Sequence, residues 1–153
     1  MFEDDFKEKK DKNVNIKDIK RADFMQFLYV CDPMVIEHPT DQNVFQVVEI
    51  AEKYQHESMI KKCRSIMSEN ILRSYNVKAN EAIDVLSLAE KYGYKELLQE
   101  AEGCLLECEF NYLLNTEHFE KLPLDFKYQI LSKRVLKYNK ERVSKPSFSS
   151  KMV

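Results

Sequence analysis

The sequence holds two glycines, Gly93 and Gly103, in 153 residues. That scarcity rules out a phosphate-cradling loop, a dinucleotide-binding fingerprint and a Gly-x-Ser-x-Gly nucleophile elbow, each of which needs several glycines at fixed spacing. Long apolar runs are missing too: no uncharged stretch approaches the roughly 18 residues that span a bilayer. The opening MFEDDFKEKK has none of the apolar character of a secretory leader. A bias in charge is also lacking, since 24 Lys and Arg stand against 26 Asp and Glu and the net charge is −2. Bulk attraction to nucleic acid is therefore not expected. The four cysteines, Cys31, Cys63, Cys104 and Cys108, follow no disulfide framework. The expectation is an intracellular protein, cytoplasmic or nuclear, in a reducing compartment, with neither a membrane nor a nucleic acid as partner.

What the chain does contain is a repeat. Residues 50–63 read IAEKYQHESMIKKC and residues 88–101 read LAEKYGYKELLQEA, an offset of 38 residues. Val47 falls on Val85, Ala51 on Ala89, and Glu52 to Tyr54 on Glu90 to Tyr92. Met59, Ile60, Cys63 and Met67 fall on Leu97, Leu98, Ala101 and Leu105. The pattern that recurs is one of buried and exposed sites, as in a repeated helical hairpin. A chain of 153 residues suits one domain with one core.

The predicted organisation is mainly α. Residues 1–12 are too poor in apolar groups to offset the entropy of ordering them, and read as a mobile lead-in. NVNIKDI, residues 13–19, suits one short strand. Phe24, Phe27, Leu28 and Cys31 form a helix stripe that Pro33 ends. Pro39 closes a short connection around Met34, Val35 and Ile36 that could be extended. Thr40 is placed to cap a helix whose face is Val44, Val47, Val48, Ala51 and Tyr54. Gln55 and His56 break it, and Met59 begins the partner helix. Asn80 is expected to cap the second copy, with Ala82, Val85, Leu86, Ala89 and Tyr92 as its stripe. Gly93 supplies the positive φ at its stop. Leu97, Leu98, Ala101, Leu105 and Cys108 continue the pattern. FNYLL and HFEKL read as short helical pieces, and Pro123 opens a last helix in which Leu131, Val135 and Tyr138 share a face. The end of the chain, residues 141–153, reads as a frayed tail.

Few residues carry a chemical signal. Cys104 and Cys108 lie one helical turn apart, but a structural zinc site needs four ligands and His118 is the only imidazole near them in sequence. They read as small core residues. His38 and His56 read as turn histidines, Tyr54 and Tyr92 as helix-end packing groups, and Lys61, Lys62 and Arg64 as an exposed face. No catalytic residue, cofactor site or metal site is expected, and the chain reads as a non-enzyme.

DFMQFLYVCDP, followed by PTDQNVFQVVEIAEKYQHESMIKKCRSIM, resembles the second half of a BTB (POZ) domain, as found in the MATH and BTB adaptor proteins expanded in nematodes. The family's cadence is a strand-like segment ending in Asp, a Phe-x-x-x-Leu helix, a Pro-containing connection, a helix ending Ala-x-x-Tyr and a helix with a central Cys. Here these are residues 13–19, Phe24 to Leu28, Pro33, Ala51 to Tyr54, and Cys63. AIDVLSLAEKYGYKELLQEAEGCLLE and LPLDFKYQILSKRVLKY resemble the helical extension that follows the domain in these adaptors. The resemblance implies a partial BTB-like region over 13–70, its first half absent, and an extension over 71–140. It also implies a ubiquitin-ligase adaptor that binds the N-terminal region of cullin-3 and pairs with other BTB proteins. In cullin-binding members one helix carries an apolar residue, any residue, then Glu; Phe24, Met25 and Gln26 occupy those positions and are the candidate cullin-binding residues. Glutamine stands where the family has glutamate. The alternative is a divergent helical interaction or structural module that no longer binds cullin.

Overall fold

The computed structural model describes residues 16, 18–34, 38–73 and 79–144. The described residues form eight helices and no strand: α1 (Arg21–Cys31), α2 (Val44–Lys53), α3 (Glu57–Arg73), α4 (Ala79–Tyr92), α5 (Lys95–Glu107), α6 (Phe110–Leu114), α7 (Glu117–Lys121) and α8 (Leu124–Ser144). The expected strand over 13–19 falls mostly outside the described residues. Its described end turns instead, with Asp18 at φ 66°. Val35 and Ile36 of the expected extended connection, the lead-in 1–12 and residues 145–153 also lie outside them. The last helix runs on to Ser144, past the start of the expected tail.

Where the length suggested one core, the chain divides into two compact units, Met1–Cys63 and Arg64–Val153, with the boundary inside α3. In the first unit α1 packs on α2. Val44, Val47, Val48, Ile50 and Ala51 of α2 are buried, as are Met59, Ile60 and Cys63 in the first turns of α3. In the second unit α4 and α5 form a closely packed antiparallel pair, α7 lies on α4, and α8 lies on α5. Ala82, Val85, Leu86 and Ala89 face Leu97, Ala101 and Leu105 within a buried layer.

The recurring Ala-Glu-Lys-Tyr is a helix-stop device, and the structure builds it twice with the same hydrogen bonds. The His56 amide donates to the Ala51 carbonyl at 2.8 Å, as the Tyr94 amide does to Ala89 at 2.8 Å. The Gln55 amide donates to Glu52 at 3.1 Å, as the Gly93 amide does to Glu90 at 3.3 Å. This nested pair of bonds satisfies carbonyls that a helix end leaves free, and it requires a left-handed residue at its centre. That residue is Gln55 at φ 54° in the first copy and Gly93 at φ 71° in the second.

Two expected caps are not used as such. Thr40 starts a turn rather than the helix: its amide donates to Asn43 Oδ1 at 2.7 Å and its carbonyl accepts from Val44 at 2.9 Å. Asn43 therefore sits at the N-cap, and the acceptor expected of the threonine hydroxyl is replaced by the threonine carbonyl. Asn80 lies inside the first turn of α4 with its Oδ1 buried, because the helix has already begun at Ala79. A cap that sequence did not suggest is His56, whose Nδ1 lies 3.3 Å from the Met59 amide and accepts from it at the start of α3.

Candidate functional site

The candidate residues Phe24, Met25 and Gln26 lie on α1. The helix begins when Lys20 turns from extended backbone and its carbonyl accepts from Phe24 at 3.0 Å. It ends at Asp32, whose amide returns to the Tyr29 carbonyl and whose carboxylate accepts from the Met34 amide at 2.8 Å. Pro33, without an amide proton, sits between them.

Phe27 and Val30 are the buried face of α1. Phe24 is half-buried in an aromatic cluster: its ring centroid lies 5.8 Å from that of Tyr54 and 6.3 Å from Phe27. Tyr54 in turn stacks on Phe27 with 21° between the planes, and the His56 ring meets Phe27 edge-on. The tyrosine of the first Glu-Lys-Tyr thus closes over α1. Gln26 is exposed, and Met25 is 55% exposed.

At 3.6 residues per turn, side chains two apart leave a helix about 160° from one another. Phe24 and Gln26 therefore project on opposite sides of Met25. The residues that α1 brings together on its open side are Met25, Leu28 and Tyr29, all about half exposed. Leu28 was expected in the buried stripe; Val30 takes that place because α2 crosses the side of α1 that carries Phe27 and Val30. Tyr29 was not singled out by sequence, and the signal that could have found it is its four-residue spacing from Met25.

The other candidates have structural partners. The Cys104 thiol donates to the Ile71 carbonyl at 3.7 Å and the Cys108 thiol to Leu105 at 3.2 Å, and burial raises both above the ordinary thiol range. No group of three His, Cys, Asp or Glu among the described residues could hold a metal ion. Arg64 leaves the expected exposed basic face: it lies 4.8 Å from the Tyr94 ring centroid and 3.6 Å from the Glu96 carboxylate. Lys61 and Lys62 stay exposed. His118 Nδ1 pairs with Asp84 at 2.9 Å and so ties α7 to α4. No helix among the described residues is long and apolar enough to cross a membrane.

Comparison with known proteins adds two findings. The human protein Kelch-like protein 6 is 27% identical over 134 residues, which is 86% of this chain and 20% of that protein. The chain thus spans about a fifth of the length of this curated relative. No solved structure matches. The BTB/POZ domain family matches residues 1–71, which takes in residues 1–12 as well as the region of the quoted motifs. Over the stretch that carries α1, α2 and nearly all of α3, the chain is similar to a BTB/POZ domain.

Proposed function

We propose that this chain is a non-catalytic protein-interaction module of BTB type, working in the cytoplasm or nucleus as a ubiquitin-ligase adaptor or a derivative of one. Its partner on α1 is the N-terminal region of cullin-3, and a second BTB protein is a further partner. The cadence from DFMQFLYVCDP onward supports a place among the MATH and BTB adaptors. Residues 13–70 are the BTB-like region and 71–140 the helical extension. The observation that carries the reading is the open side of α1, where Met25, Leu28 and Tyr29 expose apolar surface beside Gln26 within the BTB-matched segment. Apolar and aromatic side chains gathered on one helix face are the kind of group that dominates interface energetics.

Gln26 tunes the affinity. Glutamine keeps a carbonyl acceptor but loses the carboxylate, so a charge-assisted hydrogen bond of about 1.5–3 kcal/mol becomes a neutral one of about 0.5–1.5. That difference is roughly tenfold in affinity. Calorimetric titration of the cullin-3 N-terminal domain tests it: Gln26→Glu tightens binding about tenfold, and Met25→Asp abolishes it without unfolding the chain. Unchanged affinity in both variants rejects the reading of α1. The second reading, a helical module that no longer binds cullin, is favoured by one observation, the contact of Phe24 with Phe27 and Tyr54. On that reading Phe24→Ala lowers the melting temperature and no titration with cullin gives heat.

A further inference from the structure

The open side of α1 is not uniform in chemistry. Leu28 offers hydrocarbon and Tyr29 a phenol, while Met25, one turn before both, offers a thioether. Four methionines fall among the described residues, and the fold sorts them into two pairs. Met59 and Met67 are core residues, 2% and 1% exposed, whereas Met25 is 55% and Met34 88% exposed. Both open thioethers belong to α1 and the turn after it, where the Asp32 carboxylate accepts from the Met34 amide.

A thioether has no proton to lose, so its oxidation by peroxide is governed by access to the sulfur. A thiol must first ionise. Cys31, on the same helix, is half-buried and raised by burial, and burial followed by the Cys31 charge pushes Cys63 up to about 12. Peroxide at neutral pH therefore meets two open thioethers and two guarded thiols in the first unit.

We propose that Met25 is a reversible oxidation site whose sulfoxide closes the open side of α1, an inference that rests on the reading of that side as the cullin-3 surface. The step is an oxygen-atom transfer from hydrogen peroxide. The O–O bond breaks, an S–O bond forms at Met25 Sδ and water leaves; the sulfur gives up two electrons and the peroxide takes them. A methionine sulfoxide reductase reverses it, two thiols becoming a disulfide as water is released. An interface that covers Met25 must then bury a sulfoxide oxygen taken from water, and loses affinity unless a donor meets it. Met34 lies beyond the end of α1, and its oxidation leaves that side unchanged.

The test treats the full chain with hydrogen peroxide at pH 6, where thiolates are scarcest, and removes the peroxide before calorimetric titration with the cullin-3 N-terminal domain. Tryptic peptide 22–53 carries both open methionines, so tandem mass spectrometry must assign the oxygen within it. The expected result is oxygen on Met25 and Met34 before Met59 and Met67, unchanged circular dichroism, and binding weakened about tenfold or more. Reductase treatment should restore the affinity. The ratio of affinities before and after peroxide should be near one in Met25→Leu and like the parent's in Met34→Leu. A reduced parent that gives no heat rejects the reading of α1 and the inference with it. Reduced and oxidised chains that bind equally well overturn the inference alone. So do a loss that follows Met34, a loss that the reductase does not reverse, and equal oxidation of Met59 and Met67.

Discussion

At the scale of single residues, the two copies of the helix stop differ where the backbone is most demanding. Gln55 adopts a left-handed conformation that costs an L-residue with a Cβ roughly 1–2 kcal/mol, whereas Gly93 adopts it freely. Gln55→Gly is expected to raise stability by about 1 kcal/mol and Gly93→Ala to lower it by a similar amount. A Cβ at Gly93 would meet nothing within 4 Å, so the second effect is one of backbone conformation and not of a clash. Urea denaturation of both variants checks this, and shifts of the same sign would contradict the shared geometry. Cysteine reactivity follows a similar logic of place. Burial, with Cys31 adding to it, pushes the Cys63 thiol up to about 12. A raised thiol stays protonated through neutral and mildly basic pH, and the protonated thiol is the unreactive form. Iodoacetamide should therefore label the more accessible Cys31 before Cys63 in the folded protein, and mass spectrometry of partially labelled peptides gives the order.

At the scale of elements, helix identity was legible and helix faces were legible unevenly. In α4 Ala82, Val85, Leu86 and Ala89 of the predicted stripe are buried, because α5 covers that side with Leu97, Ala101 and Leu105, while Tyr92 at the helix end is half-buried. In α8 the predicted shared face of Leu131, Val135 and Tyr138 stays largely outside the buried layer, with Val135 and Tyr138 exposed and Leu131 half-buried. The reason is Arg134. Its guanidinium supplies donors to two carbonyls where α5 ends, and lies 5.4 Å from the Phe110 ring centroid, a contact that no apolar residue could replace. Arg134→Ala leaves those carbonyls without their donor and is expected to cost roughly 2 kcal/mol. Arg134→Lys, a point charge without the planar fork, should recover only part of it. Hydrogen exchange should quicken in α8 before α4, and uniform protection in the variant would show that Ile130 alone holds the helix.

At the scale of the whole molecule, the repeat contributes to both compact units. Ala51 belongs to the first and Ala89 to the second, and each is fully buried. Ala51→Asp and Ala89→Asp should each lower stability by several kcal/mol, since each buries a charge without a partner. Thermal unfolding followed by circular dichroism measures both, and melting like the parent's would mean that the buried layers yield more easily than their packing implies. By itself the sequence determined the helices, the break after each Ala-Glu-Lys-Tyr with Gly93 as the left-handed centre of the second, and the alanines beneath them. Each of these depends on spacing along the chain and on the conformational freedom of one residue. Only the tertiary structure decided that Phe24 rests against Tyr54 while Met25, Leu28 and Tyr29 stay open, and that α8 turns Arg134 inward and leaves Tyr128, Val135 and Tyr138 exposed. A helix pattern tells which side chains share a face. Which face is covered depends on where a distant segment finds hydrogen-bond partners, and a guanidinium that caps another helix can outweigh an apolar stripe in that choice.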